Sequence, residues 1–136
     1  MTWIFDKILY INSILSMCLR LPASHRQAYE VFLATLQEMQ GMAVMPVDRE
    51  RLKQGFKRVV EVGDRLIIPL TESGLAPEAI ARWQAIQTEI KRSLRLLQVD
   101  VMMSMSARQA ATSQSRIQGI SDRLQTLIGY CQALLG

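Results

Sequence analysis

From Glu78 to about Ala111 the chain runs without a glycine or a proline, and within that stretch Trp83, Ile86, Ile90, Leu94, Leu97, Val101 and Met105 recur at spacings of three and four. Such spacing keeps apolar side chains on one face of a 3.6-residue period, whereas a strand would need a period of two. The stretch is therefore read as one long helix with a stripe that other helices must cover. A second stripe follows at Ile117, Ile120, Leu124, Leu127, Ile128, Cys131 and Leu135. Thr112-Ser113-Gln114-Ser115 between them offers side-chain oxygens for a turn.

Upstream, Leu21-Pro22-Ala23 is a break, and Ser24 with Gln27 has the form of a capping box for a helix carrying Tyr29, Phe32, Leu33, Leu36 and Met39 inward. Gly41 is a stop signal, and Asp48 is placed to cap another helix that buries Leu52, Phe56, Val59, Val60, Leu66 and Ile67 up to Pro69. Gly55 and Gly63 inside it point to close helix approach or local looseness. Thr71 to Ala76 is the clearest loop, and Pro77-Glu78 is a favourable helix opening.

At 136 residues, 49% hydrophobic and 21% charged, the chain has the size and balance of one folded domain. Short connections between long helices favour antiparallel neighbours. The expected fold is all-α: an up-down antiparallel bundle of four main helices with an additional N-terminal helix. Residues 1–20 form the N-terminal amphipathic helix or extension, and 21–136 form the bundle domain.

The formal charge of +4 is modest, and basic residues are spread among acidic ones with only 6% aromatics. That pattern argues against a nucleic-acid footprint. Cys18 and Cys131 lie far apart without a Cys-x-x-Cys motif and read as small apolar side chains, leaving the cytoplasm as the expected location.

Ile8 to Leu19 is an uncharged run of twelve residues, short of the roughly 20 a spanning helix needs. Leu15-Ser16-Met17-Cys18 has a lipoprotein-like outline, but Met stands where a small residue is expected before the cysteine. Ile4, Ile8, Ile11, Leu15 and Leu19 keep helical spacing, so a docked amphipathic helix is preferred to an anchor. Membrane contact through residues 1–20 stays open as the alternative mode of action, as does an upstream extension before Leu21.

His25 is the only histidine and stands beside no nucleophile or carboxylate constellation, which favours a surface or capping role. No Glu-x-x-His pair supports a di-iron bundle, so neither enzymatic activity nor a metal or other cofactor is expected. Asp100 lies between Val99 and Val101 at the edge of the long stripe, where a carboxylate either needs a partner, which Arg116 or Arg123 on the next helix is placed to supply, or reaches water as a boundary residue. Leu96, Val99 and Met103 fall on the face opposite the stripe, with Arg92 on the same side and Arg95 at its edge. A second apolar face on a helix already buried on the first suggests a partner surface or a homodimer, or cover from the N-terminal helix.

The segments LRLLQVDVMM, SARQAATSQSRIQGISDRL and LIGYCQALL resemble the C-terminal half of the cyanobacterial heterocyst frequency control protein PatD family, and LPASHRQAYEVFLATL resembles its opening helix. The resemblance runs from about Leu21 to Leu135 and is strongest after Leu94; residues 1–20 are a departure from it. It implies a small cytoplasmic helical protein without enzymatic activity that binds the division GTPase FtsZ and modulates its polymer assembly. In filamentous nitrogen-fixing relatives that role is tied to heterocyst frequency. The matching positions are Asp100, Arg108, Gln109, Arg116, Asp122, Arg123 and Tyr130, some of which would hold the bundle together rather than touch a partner.

Overall fold

The computed structural model describes residues 21–106 and 109–136. The segment 1–20, with its expected amphipathic helix and Cys18, lies outside the described residues, as does Arg108. Among the described residues the chain is all-helical: α1 (Ala23–Met42), α2 (Arg49–Val62), a π-helical turn (Gly63–Ile67), α3 (Pro77–Ser106) and α4 (Ala110–Leu135).

The start of α1 differs from the expected capping box. Pro22, at φ −55° and ψ 153°, precedes the helix without a side-chain cap, and its carbonyl accepts from Arg26 N at 3.0 Å. The ring presets φ, so the helix opens directly after proline and Ser24 falls inside the first turn. Its inward residues Tyr29, Phe32, Leu36 and Met39 are fully buried. Asp48 does cap α2, its Oδ1 accepting from Glu50 N at 3.1 Å and Arg51 N at 3.2 Å.

Instead of continuing as α-helix to Ile67, the second helix widens at Gly63, and Ile68 N donates to Gly63 O at 2.9 Å. Gly63 lies where three helices converge: a Cβ there would stand 3.3 Å from Leu94 Cδ1 and 3.6 Å from Phe32 Cε1. Glycine is the residue whose absent side chain permits that approach. In the same turn Ile67 is fully buried, and its carbonyl accepts from Gln87 Nε2 at 2.8 Å.

Helix α3 opens at Pro77 with Glu78 in its first turn and extends for 30 residues, roughly 45 Å. It is described as far as Ser106, and α4 begins at Ala110 after an extended Gln109 whose carbonyl accepts from Ser113 N at 2.9 Å, so the break falls before the expected end near Ala111. Thr112 to Ser115 therefore lie within α4 rather than capping a turn. The Ser113 side chain is buried and its Oγ accepts from Arg49 Nη2 on α2. A buried hydroxyl with a tertiary partner is accommodated inside a helix, which is why hydroxyl-rich sequence alone misplaces this boundary.

Helix α3 packs most extensively on α4, α4 also packs on α1, and α1 on α2; the α2–α3 contact is the slenderest of the four. One core runs between them, including Phe32, Leu36, Leu52, Ile90, Leu97, Ile120 and Leu124.

Candidate interaction surface

Leu97 and Val101 carry the inward face of α3, and a rotation of half a turn brings Val99 outward. Val99 is 54% exposed, Met102 62% and Met103 43%. Leu96, on the same expected face, is half-buried. Met102 joins the patch because it follows Val99 by three positions, a signal present in the methionine cluster of the sequence. Arg92 and Arg95 are exposed; Arg92 Nη1 lies 3.9 Å from Glu89 Oε2, and Arg95 makes no ion pair among the described residues.

Asp100 points to α4 instead of to solvent. Arg123 Nε donates to its Oδ2 at 3.1 Å, with both side chains half-buried. Arg116 is exposed and makes no ion pair among the described residues, so of the two arginines considered as partner Arg123 occupies the position. Asp122 is half-buried and accepts from Gln118 Nε2 at 3.1 Å, an interaction within α4. Gln109 is exposed at the start of that helix.

Tyr130, one of the positions expected either to touch a partner or to hold the bundle together, is buried. Burial raises its phenol pKa above 10.0; Glu89 adds to the rise and Arg92 opposes it. The ring thus belongs to the α3–α4 seam. Cys131 beside it is fully buried, and desolvation pushes its thiol up to about 12.

A buried polar chain forms at the other end of α3 and is absent from the sequence expectations. Trp83 Nε1 donates to Tyr29 Oη at 2.8 Å, Tyr29 Oη donates to Gln87 Oε1 at 2.7 Å, and Gln87 Nε2 donates to the Ile67 carbonyl. His25 corrects its surface assignment: it is only 5% exposed, packs edge-on to Trp83 and sets Nε2 2.7 Å from the Thr71 carbonyl. Its Nδ1 is buried without a partner. A carbonyl can only accept, so Nε2 carries a proton and donates, and the imidazole ties α1 to the loop. Only a repeated aromatic and amide set near the start of α1 and of α3 signals this chain in the sequence, because its carbonyl acceptors come from distant backbone.

An open groove of about 910 Å³ borders this network, lined in part by Thr71, Glu72, Trp83, Gln87 and Lys91. Its carboxylate is occupied, since Gln84 Nε2 donates to Glu72 Oε2 at 2.7 Å. Among the described residues no three His, Cys, Asp or Glu side chains assemble into a metal-holding group. No described helix is long and apolar enough to cross a membrane. The arrangement offers an exposed apolar and cationic face on a helix whose seam is held by an ion pair. Comparison with models of known families, with curated proteins and with solved structures finds no match to this chain.

Proposed function

We propose that this chain is a non-enzymatic cytoplasmic regulator that binds the division GTPase FtsZ and modulates its polymer assembly, with an influence on heterocyst frequency in a cell that forms them. The scaffold in this reading is an up-down antiparallel four-helix bundle. Its support is the order of partners along each packed pair. Gln40 meets Gln125 whereas Arg26 meets the Leu135 carbonyl, and Gly55 faces Met39 and Met42 whereas Gly63 faces Phe32. Leu94 meets Gly63 whereas Gln87 meets Ile67, so numbers rise along one helix as they fall along the next.

The observation that carries the reading is the exposed Val99, Met102 and Met103 patch beside Arg92 and Arg95. Exposed apolar residues rimmed by arginine are the composition of a contact surface. The family resemblance set out above supplies the identity of the partner. Self-association through Leu96, Val99 and Met103 would give a homodimer with two FtsZ-facing sides, and a bivalent binder bridges neighbouring subunits of a filament because its second contact is effectively intramolecular.

The test is affinity for FtsZ after charge reversal of Arg92→Glu together with Arg95→Glu. Binding should weaken by about tenfold or more, with an unchanged melting temperature. Unchanged affinity removes this face from the interface.

A further inference from the structure

Two rows of like charge border the slender contact between α2 and α3. Arg49, Lys53 and Lys57 succeed one another at four-residue steps on α2, and Lys91 and Arg95 do so on α3. Like charges at this spacing repel and weaken a helix. No carboxylate stands three or four positions from Lys91 or Arg95. Among the described residues Lys53, Lys57, Lys91 and Arg95 enter no ion pair, and Arg49 is held by the Ser113 hydroxyl rather than by an acid.

Both rows border one groove. Gly63 of the π turn faces Leu94, and Phe56 and Val60 lie seven and three positions before it, on the same side of α2 and half-buried. Lys53 and Lys57 each stand three positions before one of them, on the solvent edge of that face. On α3, Lys91 precedes Leu94 by three, and Arg95 and Met102 continue the outer edge. The contacts of Leu94 with Gly63 and of Gln87 with Ile67 set the register, which brings Lys57 near the level of Val99 and Lys53 near that of Met102. The groove thus has a half-buried apolar floor, cations along both edges and exposed methionine at one end.

We infer that the α2–α3 groove is a docking site for an acidic amphipathic segment of a partner protein, whose carboxylates meet the two cationic rows and whose apolar side chains meet Phe56, Val60 and Met102. A nucleic acid would satisfy the charge but not the apolar floor, and the groove presents no stacking platform of exposed aromatics. The inference rests on the contact-protein reading above and adds the site and the chemistry of the segment it takes.

The probe is a fluorescein-labelled synthetic helical peptide of about 16 residues, roughly 24 Å long, with glutamates on one face and leucines on the other. Binding to the full chain is followed by fluorescence anisotropy. Lys53→Glu with Lys57→Glu should weaken binding by about tenfold or more, Met102→Ser by severalfold, and Arg82→Glu, away from the groove, should leave it unchanged. Circular dichroism checks folding, and the neutral pair Lys53→Gln with Lys57→Gln gives a milder loss should the reversal perturb the fold. Four results overturn the site: no peptide binding by the native chain, equal loss on Arg82→Glu, equal affinity for a peptide with serine in place of leucine, or tighter binding of a DNA duplex of matched charge. FtsZ binding measured in parallel separates the two claims. FtsZ bound without the peptide overturns the groove alone, and the peptide bound at the groove without FtsZ supports the site while removing FtsZ as its partner.

Discussion

Arg123 Nε donates to Asp100 Oδ2 at 3.1 Å across the α3–α4 seam, with the two side chains 33% and 23% exposed respectively. Solvent screens such a pair only in part, and removing one member leaves the other partly desolvated. Asp100→Ala should cost about 1–2 kcal/mol in urea unfolding, and a double-mutant cycle with Arg123→Ala should show a coupling of about 1 kcal/mol. Arg116→Ala, at an exposed arginine outside any ion pair among the described residues, should stay within about 0.5 kcal/mol. Equal effects of the two arginines would remove the seam role of Arg123.

The hydroxyl of Tyr29 both accepts from Trp83 and donates to Gln87 within the core. Tyr29→Phe leaves a buried indole N–H and a buried amide oxygen without that partner, which should lower stability by about 2–3 kcal/mol. Trp83 reports the change directly through its fluorescence on unfolding. A loss below about 0.5 kcal/mol would mean that water takes over both bonds.

Two helical glycines should respond to alanine with opposite signs. At Gly119 a Cβ meets nothing within 4 Å, so Gly119→Ala should stabilise by about 0.5–1 kcal/mol through helix propensity. At Gly63 the added Cβ meets Leu94 on one side and Phe32 on the other, and Gly63→Ala should destabilise by about 1 kcal/mol or more. Thermal melts of the two variants decide it. Stabilisation by both would show that Leu94 yields without cost.

These examples also show what was legible in the chain before folding. The stripes of α3 and α4, the Asp48 cap and the opening at Pro77 follow from local spacing and capping chemistry, which act over one or two turns. Asp100 was legible as a carboxylate that either takes a partner or reaches water, because its burial has a cost wherever it occurs; which of the two holds, and which arginine answers, depends on the inter-helix register. The π turn at Gly63, the burial of His25 and the inward setting of Ser113 depend on groups 64 or fewer residues away in sequence but adjacent in space, such as the Thr71 carbonyl and Arg49. Local pattern carries no record of those neighbours. Tyr130 fitted the family resemblance equally well as a contact or as a packing residue, and only its burial separates the two.

Stability should fall on the alkaline side. Burial raises the Cys131 thiol from 9.0 to about 12, and the Tyr29 and Tyr130 phenols rise above 10.0 for the same first cause. The unfolded chain then releases these protons before the native one does. The stabilising contribution is complete below about pH 9 and is lost as pH climbs toward 12. Denaturation midpoints should hold steady up to pH 9 and drop above it, and Cys131→Ala should flatten part of that drop. An identical alkaline slope in the variant would show that the thiol has no share in it. In a Cys18→Ser background the native protein should react slowly with a thiol reagent, at a rate that rises with denaturant.

The most direct measurement is sedimentation of FtsZ with GTP in the presence and absence of the purified full chain, with the Arg92→Glu and Arg95→Glu double variant as a third arm. Co-pelleting with a changed polymer yield, reduced in the variant, is the predicted result. A chain that stays in the supernatant and leaves the yield unchanged would contradict FtsZ regulation.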